Sequence, residues 1–386
     1  MTQIQGGKEN CKYTESAKAP LLRDGDPNHQ VVFFLACDRS CWFSFYVIMG
    51  TFIKTKQKKT VMTICFTLSG IKKETQHKKQ RISTNSTKTN PVTKIKTDQA
   101  RISRHPVTDE TPMPILSRKS FSQLPMWDFE DVYNQDAPFR PTACAESLRN
   151  SEDESFRKAF LPNIRLFLHK DNINLTEWNR LSHFNNPFGF MELNVMASVK
   201  LIPKPKEPLL LPKPGGDGCV RCAVVGTAGI LNGSRMGKEI DAHDYVFRMN
   251  GAVLKGHEED VGNRTSVPRT YYAGQYNESR FYVLHQDFLR YVRNRFLKSA
   301  ILNSTHWAIV RPTNGAFTLF LALHTCDTVS AYGFMTEDYN KYYNYYFEKG
   351  VKTTVVFYIS HDYLLEKNMW KKLHNSKIIR LYQRTD

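Results

Sequence analysis

Acidic residues are nearly missing from one long stretch of this chain. Between Lys54 and Pro106 only Glu74 and Asp98 are acidic, against fourteen Lys or Arg. The stretch therefore carries most of the formal net charge of +17. It also has no aromatic residue after Phe66. Nucleic-acid surfaces pair basic groups with stacking aromatics or set them on a folded face, so no nucleic-acid partner is expected here. With neither a 3.6 nor a 2.0 hydrophobic period, the stretch reads as a solvated, disordered spacer. A charge-free apolar run is lacking as well. Val31 to Ile53 is long enough to cross a bilayer, but Asp38 and Arg39 interrupt it. No small-residue cleavage site of signal-peptide type stands out, which favours an uncleaved anchor. Cys219 and Cys222 form a C-x-x-C with no second such pair and no His pair at metal spacing. A zinc site is therefore not completed, and no metal is expected.

The 386 residues suffice for one large α/β domain plus non-globular segments. Four of the eight cysteines, Cys144, Cys219, Cys222 and Cys326, lie in the part that reads as globular. Asn-x-Ser/Thr sequons occur at Asn85, Asn174, Asn232, Asn263, Asn277 and Asn303. One sequon means little; six favour a secretory route, where disulfides form and glycans are added. The expected organisation is a tail over 1–30 and a membrane anchor over 31–53. A basic, Ser/Thr/Lys-rich stem over 54–126 and a globular domain over 127–386 follow.

Within that domain, Ala223 to Val225 has the pattern of a buried strand running into a glycine turn at Gly226 and Gly229. A second strand, Tyr245 to Met249, ends at polar Arg248 and Asn250. Such a strand–glycine turn–strand unit brings backbone close to a phosphate and sets polar groups beside a nucleotide. Leu284 to Phe296 keeps helical spacing, and Gly315 to Cys326 reads as an apolar helix. Thr328–Phe334, Thr354–Ile359 and Ile378–Tyr382 read as strands, with a helix over Tyr363–His374. Alternation of this kind predicts an α/β Rossmann-like sandwich with a mainly parallel sheet.

Four blocks carry a family resemblance. Cys222 to Ser266 resembles the large sialylmotif of the animal sialyltransferases. His306 to Phe334 is similar to the small sialylmotif, Asn344 to Glu348 to the short third motif, and His361 to Glu366 to the H-x-x-x-x-E of the very small motif. Phe160 to Asn194 and the C-terminal IIRLYQR look like the subgroup that adds sialic acid to O-linked N-acetylgalactosamine, above all its first two members.

The resemblance implies a sialyltransferase variant of the GT-A type of sandwich, lumenal in the Golgi on a single type II anchor. It implies inverting, metal-independent transfer from CMP-sialic acid to O-GalNAc glycoprotein acceptors in α-2,6 linkage. By its motifs, His361 is the base, and Asn250, Thr227, Gly229, Thr313, Gly315 and Tyr345 lie on the donor. Cys222–Cys326 and Cys144–Cys219 would be disulfides. The lysines after Ile53 would by the positive-inside rule face the cytosol; the sequons and the resemblance place that side in the lumen instead. Glu366 is expected either to orient His361 or to cap its helix.

The chain departs from the family pattern near the site. Thr227 stands where the family has Asn, Ala228 where Gly is usual, Asn314 for Thr, and Tyr345 for His. Val267 to Arg280 crosses directly to Phe281, where the family has several tens of residues more, so an internal deletion is expected near 267–280.

Overall fold

A computed structural model describes residues 32–34, 111–249, 252–268, 281–348 and 353–384. The strands are β1 (Val32–Phe34), β2 (Phe167–Leu168), β3 (Arg221–Val225), β4 (Tyr245–Arg248), β5 (Val267–Pro268), β6 (Phe281–Leu284), β7 (Thr328–Tyr332) and β8 (Arg380–Leu381). The helices are α1 (Glu154–Ala159), α2 (Leu175–Leu181), α3 (Met196–Val199), α4 (Gly237–Ala242), α5 (Glu258–Val261), α6 (Gln286–Tyr291), α7 (Asn314–Thr325) and α8 (Tyr363–Asn375).

Five strands form one sheet in the order β5-β4-β3-β7-β8, and every pairing in it is parallel. The central strand explains why. Cys222, Ala223, Val224 and Val225 are all fully buried, as a strand covered on both faces requires. Their side chains alternate between faces: Cys222 and Val224 join the larger core with α7, while Ala223 and Val225 join a second core with Ile230, Leu231 and Ile240. From Ala316 to Thr325 every residue of α7 is buried, so this apolar helix is covered all round. The longer α8 is amphipathic, burying Glu366, Trp370 and Leu373 at i, i+4 and i+7. A second, three-stranded sheet has the order β1-β6-β2, with β6 antiparallel to β2 and parallel to β1.

Both expected disulfides are present. Cys144–Cys219 closes a separation of 75 residues and Cys222–Cys326 one of 104. The latter ties β3 to the end of α7.

Two expectations are corrected. The packed domain begins by Thr111 rather than Trp127. The Thr111 carbonyl accepts from Asn179 Nδ2 at 2.7 Å, Leu124 is buried, and the Phe121 carbonyl accepts from Trp307 Nε1 at 3.1 Å. Leu116, Phe121 and Leu124 are too widely spaced to show a period, yet each packs on the Met191–Trp307 cluster. Thr354–Ile359 is not a strand but an irregular segment in which Val356, Phe357, Tyr358 and Ile359 are all exposed. Among the described residues no strand lies alongside it, so its β-type composition has no ladder to join. Of the anchor run only Val32–Phe34 is described, and it is extended; Cys11, Cys37, Cys41, Cys65, Asn85, Asn277 and most of the stem lie outside the described residues.

Candidate active site

The parallel sheet decides where a ligand can sit, because strand ends that share one direction leave a crevice at their carboxyl side. The turn after β3 (Gly226 to Ile230), Met249 after β4, and Gly333 to Thr336 after β7 all border one cavity of about 410 Å³. Its remaining wall comes from the start of α7, from Tyr343 to Tyr345, and from the segment leading into α8 at His361.

The glycines of the β3 turn serve the protein's own close contacts. A Cβ on Gly226 would meet the Gly333 carbonyl at 2.3 Å, and one on Gly229 would meet the Tyr343 carbonyl at 2.0 Å. The Gly229 N–H also donates to that carbonyl at 3.1 Å. Gly229 borders the cavity as expected, but its amide is committed to the 343 segment and is not offered to a phosphate. Gly315 differs. A Cβ there would make only ordinary or slightly tight contacts, at 3.4 Å and beyond. Protein packing does not demand this glycine, which leaves room for a close-lying ligand.

The start of α7 brings a helix N-terminus to the cavity. Thr313 caps the helix, its hydroxyl oxygen accepting from the Ala316 N–H at 3.2 Å. The first-turn amide of Gly315 has no partner within the helix and lies at the cavity wall, where the positive end of the helix favours negative charge. Behind this turn sits buried Glu366. The Thr313 N–H donates to Glu366 Oε1 and the Thr313 hydroxyl to Oε2, each at 2.6 Å. Burial pushes the Glu366 carboxyl up to about 7, against the lowering effect of the Thr313 hydrogen bonds. Glu366 therefore takes neither expected role: it touches the cap of α7, while Asp362 caps α8 by accepting from the Leu365 N–H at 3.1 Å.

His361 lies just before that cap and borders the cavity. Its Nδ1 lies 2.8 Å from the Arg311 carbonyl. A carbonyl only accepts, so Nδ1 carries the proton and the Nε2 of the neutral ring is a proton acceptor. Burial holds the imidazole below its ordinary value; the Arg311 carbonyl opposes this and the Arg311 charge reinforces it.

Thr227, Gly229, Thr313, Gly315, Tyr345 and His361 thus meet at one cavity, although they span more than 130 residues of sequence. Asn250 lies outside the described residues. Arg248, expected at the nucleotide, is buried and turned away, donating to the Arg264 and Val261 carbonyls at 2.9 and 2.6 Å. Ser234 and Arg235 belong to a turn held by Asp260. Asn174, Asn232, Asn263 and Asn303 are exposed, as glycan acceptors must be.

Two features of the site escaped the sequence. Besides the expected Tyr345, five tyrosines, Tyr339, Tyr342, Tyr343, Tyr358 and Tyr363, border the cavity; their crowding between 339 and 363 was the available signal. Two departures from the family pattern also face each other, since Ala228 and Tyr345 form an antiparallel bridge. Tyr345 is 41% exposed and stacks on Phe347 with ring centres 5.2 Å apart.

A parallel α/β sheet with a helix N-terminus and a histidine at one crevice belongs to the α/β folds that bind ligands beyond their strand ends. Comparison with known proteins makes this specific. Residues 167–277 and 268–378 each match glycosyltransferase family 29, the sialyltransferases, and the chain belongs to that family. The alpha-N-acetylgalactosaminide alpha-2,6-sialyltransferase 1 of Gallus gallus is 39% identical over 344 positions, taking in 70% of this chain and 60% of that protein. Its Homo sapiens counterpart is 39% identical over 341 positions, taking in 70% and 57%. The Mus musculus alpha-N-acetylgalactosaminide alpha-2,6-sialyltransferase 2 is 35% identical, covering 62% and 82%. The chain thus spans about 60% of the first two relatives. A mammalian sialyltransferase crystal structure aligns with 63% of this chain and 99% of its own, at 23% identity and a TM-score of 0.46. The Gallus gallus alignment runs over 344 positions, whereas 70% of 386 residues is about 270; gaps in this chain carry the difference. The two family matches meet at 268–277.

Proposed function

We propose that this chain transfers sialic acid from CMP-sialic acid, in α-2,6 linkage, to N-acetylgalactosamine of O-linked glycans. The observation that carries the reading is one cavity holding both His361, with its Nε2 set as an acceptor, and the N-terminus of α7. In the reaction, His361 Nε2 takes the proton of the acceptor's 6-hydroxyl. The acceptor oxygen bonds the anomeric carbon of sialic acid from the face opposite the phosphate. The bond to the phosphate oxygen breaks and CMP leaves with its electron pair, so the anomeric centre inverts. The α7 amides stabilise the charge arriving on that phosphate. Thr227, Thr313 and Gly315 lie on the donor side, with Asn250 assigned there by its motif alone. Transfer requires no metal, so EDTA leaves the rate unchanged. The domain works in the Golgi lumen.

The test is release of CMP from CMP-sialic acid with a GalNAc-bearing glycopeptide as acceptor. Sialylated glycopeptide is the expected product, and turnover no faster than that of His361→Ala overturns the reading. A second reading, a lumenal sialyltransferase-like protein without turnover, is favoured by Thr227, Tyr345 and the gap near 267–280. It predicts CMP binding with no transfer.

A further inference from the structure

Glu366 is 6% exposed, borders the cavity, and spends both oxygens on one residue of another helix. A buried carboxyl is a poor choice for stability alone, because an apolar side chain of similar size usually serves a packed helix as well or better. Its geometry explains its presence. Thr313 is where α7 begins: its hydroxyl oxygen accepts from the Ala316 N–H and its carbonyl from the Phe317 N–H at 3.2 Å. Moving Thr313 therefore moves the whole first turn. Glu366 is itself fixed, since its N–H donates to the Asp362 carbonyl at 3.1 Å and Trp370, one turn on, is buried. Asp362 follows His361 directly and accepts from Ser299 Oγ at 2.8 Å. One carboxyl thus joins the helix that starts beside the proposed base to the helix that starts at the proposed phosphate site.

We propose that Glu366 is a positioning residue for the donor, holding Thr313 so that the first-turn amides of α7 meet the donor phosphate. The inference rests on the donor reading given above. Glu366 acts through Thr313 and touches no reacting atom, so its loss weakens the donor side and spares the acceptor side.

The experiment titrates the full chain with CMP by calorimetry and then measures KM for donor and acceptor separately. Glu366→Gln and Thr313→Val each weaken CMP binding by roughly tenfold. The double variant is no weaker than the poorer single, because both changes break one linkage. Thr313→Ser, which keeps the hydroxyl, recovers most of what Thr313→Val loses. The acceptor KM is unmoved. Unchanged CMP affinity in folded Glu366→Gln overturns the proposal, and so do additive single effects or equal losses for donor and acceptor. Where Glu366→Gln fails to fold, the Thr313→Val and Thr313→Ser pair decides. A wild-type chain that does not bind CMP sinks the donor reading and this inference with it.

Discussion

At the residue scale the proposed chemistry rests on one imidazole. Burial lowers the pKa of His361, so the ring stays neutral, and able to accept a proton, to a lower pH than the ordinary value of about 6.5 allows. The acid limb of kcat/KM accordingly lies below that value, and a pH–rate profile checks it. A limb at or above 6.5 contradicts the buried imidazole. Replacing His361 by Ala removes the proposed base and is expected to lower kcat by roughly 10²–10⁴-fold, with CMP affinity retained in calorimetry. Tyr345 raises a separate expectation. Where the family has His, its hydroxyl can donate a hydrogen bond but brings no positive charge. Tyr345→His therefore tightens CMP binding, and the gain shrinks as pH rises through the imidazole range.

At the element scale two buried charged groups govern stability. Asp287 in α6 is fully buried and accepts from Arg180 Nη2 and the Asn134 N–H, each at 2.8 Å, with Arg290 Nη2 at 2.9 Å. Burial pushes its carboxyl up, but the charges around it, Arg290 foremost, outweigh this and hold it well below the usual range. Asp287→Ala leaves two buried guanidinium groups short of a partner and costs about 3–5 kcal/mol, measurable by urea denaturation. Glu366 has the opposite sign. Its pKa in the folded chain is about 7, above the ordinary 4.5, so the folded state holds the proton more tightly than the unfolded one. The stability this adds is complete below pH 4.5 and is lost as pH rises through about 7. Glu366→Gln flattens Tm against pH across that window, and an unchanged slope contradicts the assignment.

The helix that carries Asp287 also shows how much could be read in advance. The run from Leu284 to Phe296 has helical spacing, and the helix is there. The same spacing gave no sign that Arg290 and Arg293 lie inside, over the Phe184 and Phe188 rings at 3.8 and 4.1 Å. Charge normally marks a solvated face, and only buried partners reverse that rule: Glu130 from a distant segment for Arg293, and Asp287 one turn back in the same helix for Arg290. The strand expected at Thr354–Ile359 failed for a related reason. A continuous apolar, β-branched run makes a strand only when a neighbour offers its backbone.

At the scale of the whole molecule, the Cys222–Cys326 bridge fastens the central strand to the end of α7 across 104 residues. In the loop-entropy account a closure of that length stabilises by about 4–5 kcal/mol. Cys222→Ala with Cys326→Ala lowers the urea midpoint accordingly. Because the cavity is walled by the turns after β3 and β7 and by α7, the same double variant also weakens CMP binding.

The central parallel strands and the glycine turn were legible in the residues themselves, whereas the order of motifs and the cysteine partners were legible only through the family resemblance. The strands and the turn rest on local chemistry: a continuous apolar run for a doubly covered strand, a glycine where two backbones touch. The tertiary structure decided which of those residues share a task. It committed the Gly229 amide to Tyr343, turned Arg248 away from the cavity, and gave Glu366 to Thr313 rather than to His361. Those choices depend on segments tens to more than a hundred residues apart meeting in three dimensions, and no spacing along a single chain encodes such a meeting.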